Sequence, residues 1–209
     1  MPKQVDHEAR RRKIAEALWQ IASTRGLEGT RLRDVAAAAN ISLGQLQHYF
    51  TSKDEMLTFA LGHIEELAEQ RIRQRIAALP GEPAPYDVLR ESLAEMLPLD
   101  EKSRTGNLVQ IAYFVRAVHD EETRKKAQEG IPALRGFFAS LLRAGQERGD
   151  VADGRDVEAE AMLLIGLVDG LTSYVLLDVL TPDAALALLD HHLSGLFSSP
   201  SAPATSSAP

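Results

Sequence analysis

Two short helices joined by a tight turn are predicted between residues 30 and 53, and this pattern constrains the fold more than any other in the chain. The turn falls at Asn40, a residue that tolerates the left-handed conformation. Ser42 and Gln45 then fit a capping box that opens the second helix. Thr30 is expected to cap the first helix, which is about two turns long. Its apolar residues follow the i, i+3, i+4, i+7 spacing, at Leu32, Val35, Ala36 and Ala39.

This helix-turn-helix pattern leaves a polar face on the second helix. Its small core is expected to contain Leu32, Val35, Ala36, Ile41, Leu46 and Phe50. The side chains expected to face outward are Leu43, Gln45, Gln47, His48 and Tyr49. The glutamines, Ser42 and Leu43 suit base edges in a major groove about 12 Å wide. The residues suited to phosphates are Thr30, Arg31, Tyr49 and Lys53. The segment therefore predicts a DNA-binding unit, and the alternative is a purely structural helical hairpin.

The charge of the chain is unevenly divided. The formal net charge is −7, which alone would not suit a DNA-binding protein. Residues 1–53, however, hold nine Lys and Arg against five Asp and Glu, or +4, and the remainder holds fourteen against twenty-five, or −11. The basic part coincides with the predicted helix-turn-helix. Within it, the run from Arg10 to Lys13 fits either a flexible arm that attracts DNA or a solvated helix face.

Helical periodicity continues through the rest of the chain. Hydrophobic residues make up 44% and aromatic residues 5%, with abundant Ala and Leu, which favours an all-helical fold. A first helix is expected from Glu8 to Arg25, ended by Gly26, and a fourth from Ser52 to about Ala78. Pro80, Gly81, Pro83 and Pro85 break the pattern. Further helices are expected at 86–97, 104–119, 121–129, 132–148 and 156–180, with a last one capped by Thr181 and ending near Phe197.

The run from Thr30 to Leu57, TRLRDVAAAANISLGQLQHYFTSKDEML, resembles the TetR family of regulators. The similarity includes the alanine-rich first helix and the pieces Ile41-Ser42, Gly44, Leu46, Tyr49-Phe50 and Ser52-Lys53-Asp54. Asn40 replaces the glycine that is usual there. Gln47 replaces a tyrosine that often contacts DNA in the family, so that tyrosine contact is not carried over to this chain.

The C-terminal half resembles the BetI-type branch of the same family, through GFFASLLRAGQERGDVA and LIGLVDGLTSYVLLD. The resemblance implies an all-α chain with a helix-turn-helix domain at 1–53, an effector-binding and dimerisation domain at 54–197, and a disordered tail at 198–209. It also implies a homodimer that packs through its last two helices on a palindromic operator. The expected function is repression relieved by a small-molecule effector, while activation or ligand-independent regulation stays open.

Two groups of residues are candidates for the effector pocket. The first lies on the sixth helix and combines aromatic with polar side chains, at Asn107, Gln110, Tyr113, Phe114 and His119. Ordinary core packing would explain it equally well. The second consists of Asp169 and Tyr174 in an otherwise apolar helix, where a role in the dimer interface is favoured over ligand binding.

Several other classes of protein are disfavoured by what the sequence lacks. There is no cysteine, no GxSxG, GxGxxG or HExxH motif and no P-loop, so neither an enzyme nor a cofactor is expected. His191 and His192 are adjacent and point apart on a helix, so no metal is expected. No signal peptide or membrane span is recognised, and a cytoplasmic location is expected. The rival function is a helical protein-interaction adaptor without DNA binding.

Overall fold

The computed structural model describes residues 2–26 and 29–197, with side chains from residue 7 onward. This part of the chain is all-α and contains no strand, in agreement with the predicted fold class. The disordered tail predicted at 198–209 lies outside the described residues. The helices are α1 (Pro2–Arg25), α2 (Leu32–Ala38), α3 (Leu43–Tyr49), α4 (Lys53–Ala77), α5 (Pro85–Glu95), α6 (Glu101–His119), α7 (Glu121–Glu147), α8 (Val157–Leu176) and α9 (Pro182–Leu196).

The helices form two compact units. Within the described residues, the first comprises 2–26 and 29–73 together with 100–127, and the second comprises 74–99 together with 128–197. The first unit is therefore larger than residues 1–53, because α6 packs against α1. The division into compact units does not define which residues bind DNA, so the boundary of the DNA-binding domain at residue 53 stays a prediction.

The core of the first unit joins α1 to the helix-turn-helix. Val35, Ala36, Leu46 and Phe50 are buried, as predicted, and Leu32 and Ile41 pack against them. The α1 residues in the same cluster are Ile14, Ala15, Ala17, Leu18 and Ala22. Burial of this apolar stripe fixes α2 and α3 on α1, since two helices of seven residues each are too short to be stable alone.

The core of the second unit is built around α8. Seven α8 residues are buried, and they pack with buried side chains of α5, α7 and α9. Within the described residues, α8 is the one helix long and apolar enough to cross a membrane by length and composition. Its buried stripe, which includes Leu164 and Val168, instead fits the core helix of this unit.

Several helix boundaries differ from the sequence predictions; for example, α6 begins at Glu101 rather than at 104, and α8 ends at Leu176 rather than at 180. The start of α1 is Pro2 rather than Glu8, and proline is well tolerated at the first turn of a helix. The predicted helices 121–129 and 132–148 form a single helix, α7, with Pro132 in its interior. Pro132 is exposed, and burial of Phe138, Ala139 and Leu142 further along holds the helix in place. Thr30 does not cap α2, as the N-cap is Arg31 and forms no side-chain cap bond.

The two left-handed residues and the cap of α9 are confirmed, and the capping box at Ser52 is confirmed only in part. Asn40 has φ 55° and Gly26 has φ 71°, both in the left-handed region. The hydroxyl of Thr181 accepts a hydrogen bond from Ala184 N at the start of α9, where Pro182 fills the first turn. Ser52 accepts a hydrogen bond from Glu55 N as expected, but the Glu55 carboxylate turns to Thr51 rather than closing a capping box.

Candidate DNA-binding surface

The turn between α2 and α3 is held by local hydrogen bonds. Ser42 Oγ accepts from Gln45 N at 3.1 Å, and Gln45 Oε1 accepts from Ser42 N at 3.0 Å. Ile41 N donates to the Ala36 carbonyl at 2.9 Å, which closes the end of α2 over the turn. The predicted capping box is therefore present, and it fixes the direction in which α3 leaves the turn.

The outer face of α3 is polar and exposed. Gln45, Gln47 and His48 are exposed, Leu43 is 42% exposed, and Leu46 on the opposite face is fully buried. Because the capping box uses the carbonyl oxygen of Gln45, this residue offers only its amide N–H groups to a base. The side-chain amide of Gln47 forms no hydrogen bond within the described residues, so both of its ends are available for a bidentate contact.

The residues predicted to contact phosphates differ in their surroundings. Arg31 is exposed, while Lys53 Nζ donates to the Thr30 carbonyl at 2.9 Å. Tyr49 is half-buried, and its ring centroid lies 4.9 Å from that of His7 and 5.6 Å from that of His48. Thr30 departs from the prediction, because it is only 3% exposed and its hydroxyl donates to the Gly26 carbonyl. Its side chain stabilises the segment before α2 through this hydrogen bond instead of facing solvent.

Arg11 has a structural position that sequence reasoning missed. Its guanidinium carbon lies 4.6 Å from the ring centroid of Phe50 and 4.4 Å from that of Phe59, and Nη2 donates to Glu55 Oε1 at 3.0 Å. Thr51 donates two hydrogen bonds to the same carboxylate, and these bonds, followed by the charge of Arg11, lower the pKa of Glu55. Arg11 therefore joins α1 to the junction of α3 and α4, and is not part of a flexible arm.

The effector candidates on α6 lie in the first unit. Asn107 Nδ2 donates to the Ser103 carbonyl at 2.9 Å, and Tyr113 Oη donates to the Thr123 carbonyl at 3.4 Å. Gln110 and His119 are exposed, and Phe114 is 65% exposed. Two of the five side chains thus stabilise local backbone, while the other three face solvent.

The candidates on α8 lie in the second unit. Asp169 is exposed in the single chain, yet neighbouring apolar atoms raise the pKa of its carboxyl. Tyr174 is 52% exposed. A surface cleft of this unit is lined by other residues, namely Tyr86, Asp150, Ser194 and Phe197, and includes none of the predicted effector residues.

A short support helix, a capped turn and an exposed, polar second helix on a basic segment define a helix-turn-helix DNA-binding transcriptional regulator. Family models specify the class further. Residues 14–58 match the model for bacterial regulatory proteins of the tetR family, and residues 85–198 match the C-terminal model for BetI-type transcriptional repressors. The chain belongs to the TetR family, whose members are regulators and not enzymes.

Relatives agree with this assignment. The chain is 36% identical over 179 residues to the HTH-type transcriptional regulator PksA of Bacillus subtilis (strain 168), covering 85% of this chain and 84% of PksA. A transcriptional regulator from Rhodococcus sp. Rha1 has the same fold, with a TM-score of 0.75, 26% identity, and coverage of 89% and 95%. AibR in complex with isovaleryl coenzyme A and operator DNA is similar in fold, with a TM-score of 0.66, 21% identity, and coverage of 91% and 99%.

Proposed function

We propose that this chain is a homodimeric, cytoplasmic repressor that leaves a palindromic operator when a small-molecule effector binds. The observation that carries the proposal is the exposed polar face of α3, held rigidly by the capping box between Ser42 and Gln45. A rigid helix with free amide groups on its outer face is what direct readout of base edges requires. Gln47 reads bases in this proposal, and Arg31, Tyr49 and Lys53 set the register on phosphates.

The proposed dimer forms through α8 and α9. Large apolar side chains stay exposed on these helices, or directly after α8, in the single chain: Met162, Leu163, Tyr174, Leu177 and Leu188, between 46% and 71% exposed. Large exposed apolar patches of soluble proteins mark interaction surfaces, and in this proposal a second copy covers these side chains. In a two-fold dimer the recognition helices lie about 34 to 36 Å apart, one turn of DNA, which is why the operator is proposed to be palindromic.

The proposed release mechanism depends on α4. This helix is continuous from Lys53 to Ala77, and its residues contribute to both compact units. A ligand that binds one conformation of α4 better than another would shift the population of DNA-binding states. In another protein of similar fold, AibR, a solved complex contains isovaleryl coenzyme A and operator DNA. The α6 side chains Gln110, Phe114 and His119 are our candidates for effector contacts here.

In-vitro selection from a random duplex library tests the proposed function. The purified chain is used at two salt concentrations, because charge attraction weakens with salt more steeply than base readout does. We expect enrichment of a palindrome whose half-sites are one helical turn apart. Failure to enrich any sequence at either salt concentration would contradict operator binding and favour the protein-interaction adaptor.

A further inference from the structure

His7 lies beside the recognition helix because α1 begins earlier than its apolar pattern indicates. The centroid of its ring is 4.9 Å from that of Tyr49 and 6.4 Å from that of His48. Both histidines are exposed, whereas Tyr49 between them is half-buried. The three rings therefore form one aromatic cluster that joins the start of α1 to the end of α3.

The cluster contains two side chains that can gain a positive charge. On α3 the titratable groups that face His7 are His48 and Tyr49. Within the described part of the chain neither imidazole forms an ion pair, since Glu8 pairs with Arg12 at 3.8 Å and Glu55 with Arg11 at 3.0 Å. Among the side chains that the structure describes, no carboxylate pairs with a ring of this cluster, so a protonated ring is available to an outside anion.

We propose that His7 belongs to the DNA-contact surface, and that His7 and His48 couple operator binding to the uptake of protons. The proposal rests on the proposed function, because it requires duplex DNA on the outer face of α3. A phosphate at Tyr49 would be flanked by both imidazoles. Histidine is the side chain that ordinarily changes charge between pH 5 and 8, and a neighbouring phosphate favours its charged form. Binding and protonation therefore strengthen each other.

The sign of the effect follows from this coupling. If the complex binds more protons than the free partners do, affinity rises as the pH falls. The slope of log Kd against pH equals the number of protons that are taken up on binding. Each coupled proton therefore changes the dissociation constant at most about tenfold per pH unit. Over the range from pH 8 to pH 6 we expect binding to tighten about tenfold in total.

The test is a fluorescence anisotropy titration of the selected operator between pH 6 and pH 8 at constant ionic strength. Wild type should show the full pH dependence, His7→Gln and His48→Gln should each reduce it, and the double variant should remove it. His7→Arg keeps a positive charge at every pH, so it should bind tightly at pH 8 with a reduced pH dependence. If His7→Gln weakened operator binding only by altering helix packing, His7→Arg would not restore tight binding at pH 8.

The matched control is His192→Gln, which removes an exposed histidine of α9 that pairs with Glu160 at 3.3 Å. This variant should keep the full pH dependence. An operator affinity of wild type that does not change with pH would overturn the proposal, as would a double variant that keeps the wild-type dependence. Absence of operator binding at every pH would contradict the proposed function instead.

Discussion

Gln47 is the side chain of α3 best suited to discriminate between bases, because its amide is exposed and the capping box does not use it. We expect Gln47→Ala to weaken binding to the selected operator by about 1 to 3 kcal/mol, the usual contribution of a good bidentate base contact. Binding to random DNA should hardly change. Competition titrations with both duplexes measure the difference.

A matched substitution tests whether this loss is local. Gln70 is an exposed glutamine of α4, and Gln70→Ala should leave both affinities unchanged. If Gln47→Ala weakened operator and random DNA equally, Gln47 would have a phosphate-positioning role, and base readout would have to come from Ser42, Leu43 or Gln45.

Arg11 should contribute to stability through its position between two aromatic rings. Arg11→Met removes the cation–π contacts with Phe50 and Phe59 and the ion pair with Glu55. Since the pair is partly exposed to solvent, we expect a loss of only about 1 to 2 kcal/mol in the free energy of unfolding. Urea denaturation measures this loss. Arg10→Met, at an exposed position of the same helix, should cost much less; equal losses would show that Arg11 has no special role.

The turn between α2 and α3 depends on a residue in the left-handed conformation. Asn40 has φ 55°, which a β-branched side chain rarely adopts. Asn40→Gly should be neutral or slightly stabilising, whereas Asn40→Val should cost about 1 to 2 kcal/mol, the usual penalty of this conformation. Ala38→Val places the same side chain at the exposed last residue of α2 and should cost at most about 0.5 kcal/mol, its difference in helix propensity.

Thermal or urea unfolding of these three variants distinguishes the stability cost of valine at the turn from its cost in the helix. An Asn40→Val variant as stable as Ala38→Val would show that the turn relaxes without cost.

Local signals predicted much of the fold, and tertiary packing explains most of what they missed. The caps at Ser42 and Thr181 involve residues three positions apart, so the sequence displays them directly. The sequence predicts two helices, 121–129 and 132–148, because the missing N–H of Pro132 is visible in it, whereas the apolar packing that keeps α7 continuous is not. Arg11 was missed for the same reason, since its partners Phe50 and Glu55 lie about forty positions further along the chain.

The exposed apolar residues of α8 and α9 predict that two copies of the chain dimerise through these helices. Leu163 is 64% exposed on α8, and a charge there would be buried against the second copy in the proposed dimer. We therefore expect Leu163→Glu to shift the chain from dimer to monomer in sedimentation velocity. The helical content of the Leu163→Glu variant, measured by circular dichroism, should equal that of wild type, because Leu163 does not belong to the core of its own unit.

The control for this variant is another exposed apolar residue that lies outside the proposed interface. Val118 on α6 is 52% exposed, and Val118→Glu should remain dimeric. A monomeric Val118→Glu together with a dimeric Leu163→Glu would move the interface from α8 and α9 to α6. The same pair of variants tests DNA binding, because a dimer holds two half-sites at once and a monomer only one. Leu163→Glu should therefore lose affinity for the palindrome while its affinity for an isolated half-site stays that of a wild-type protomer.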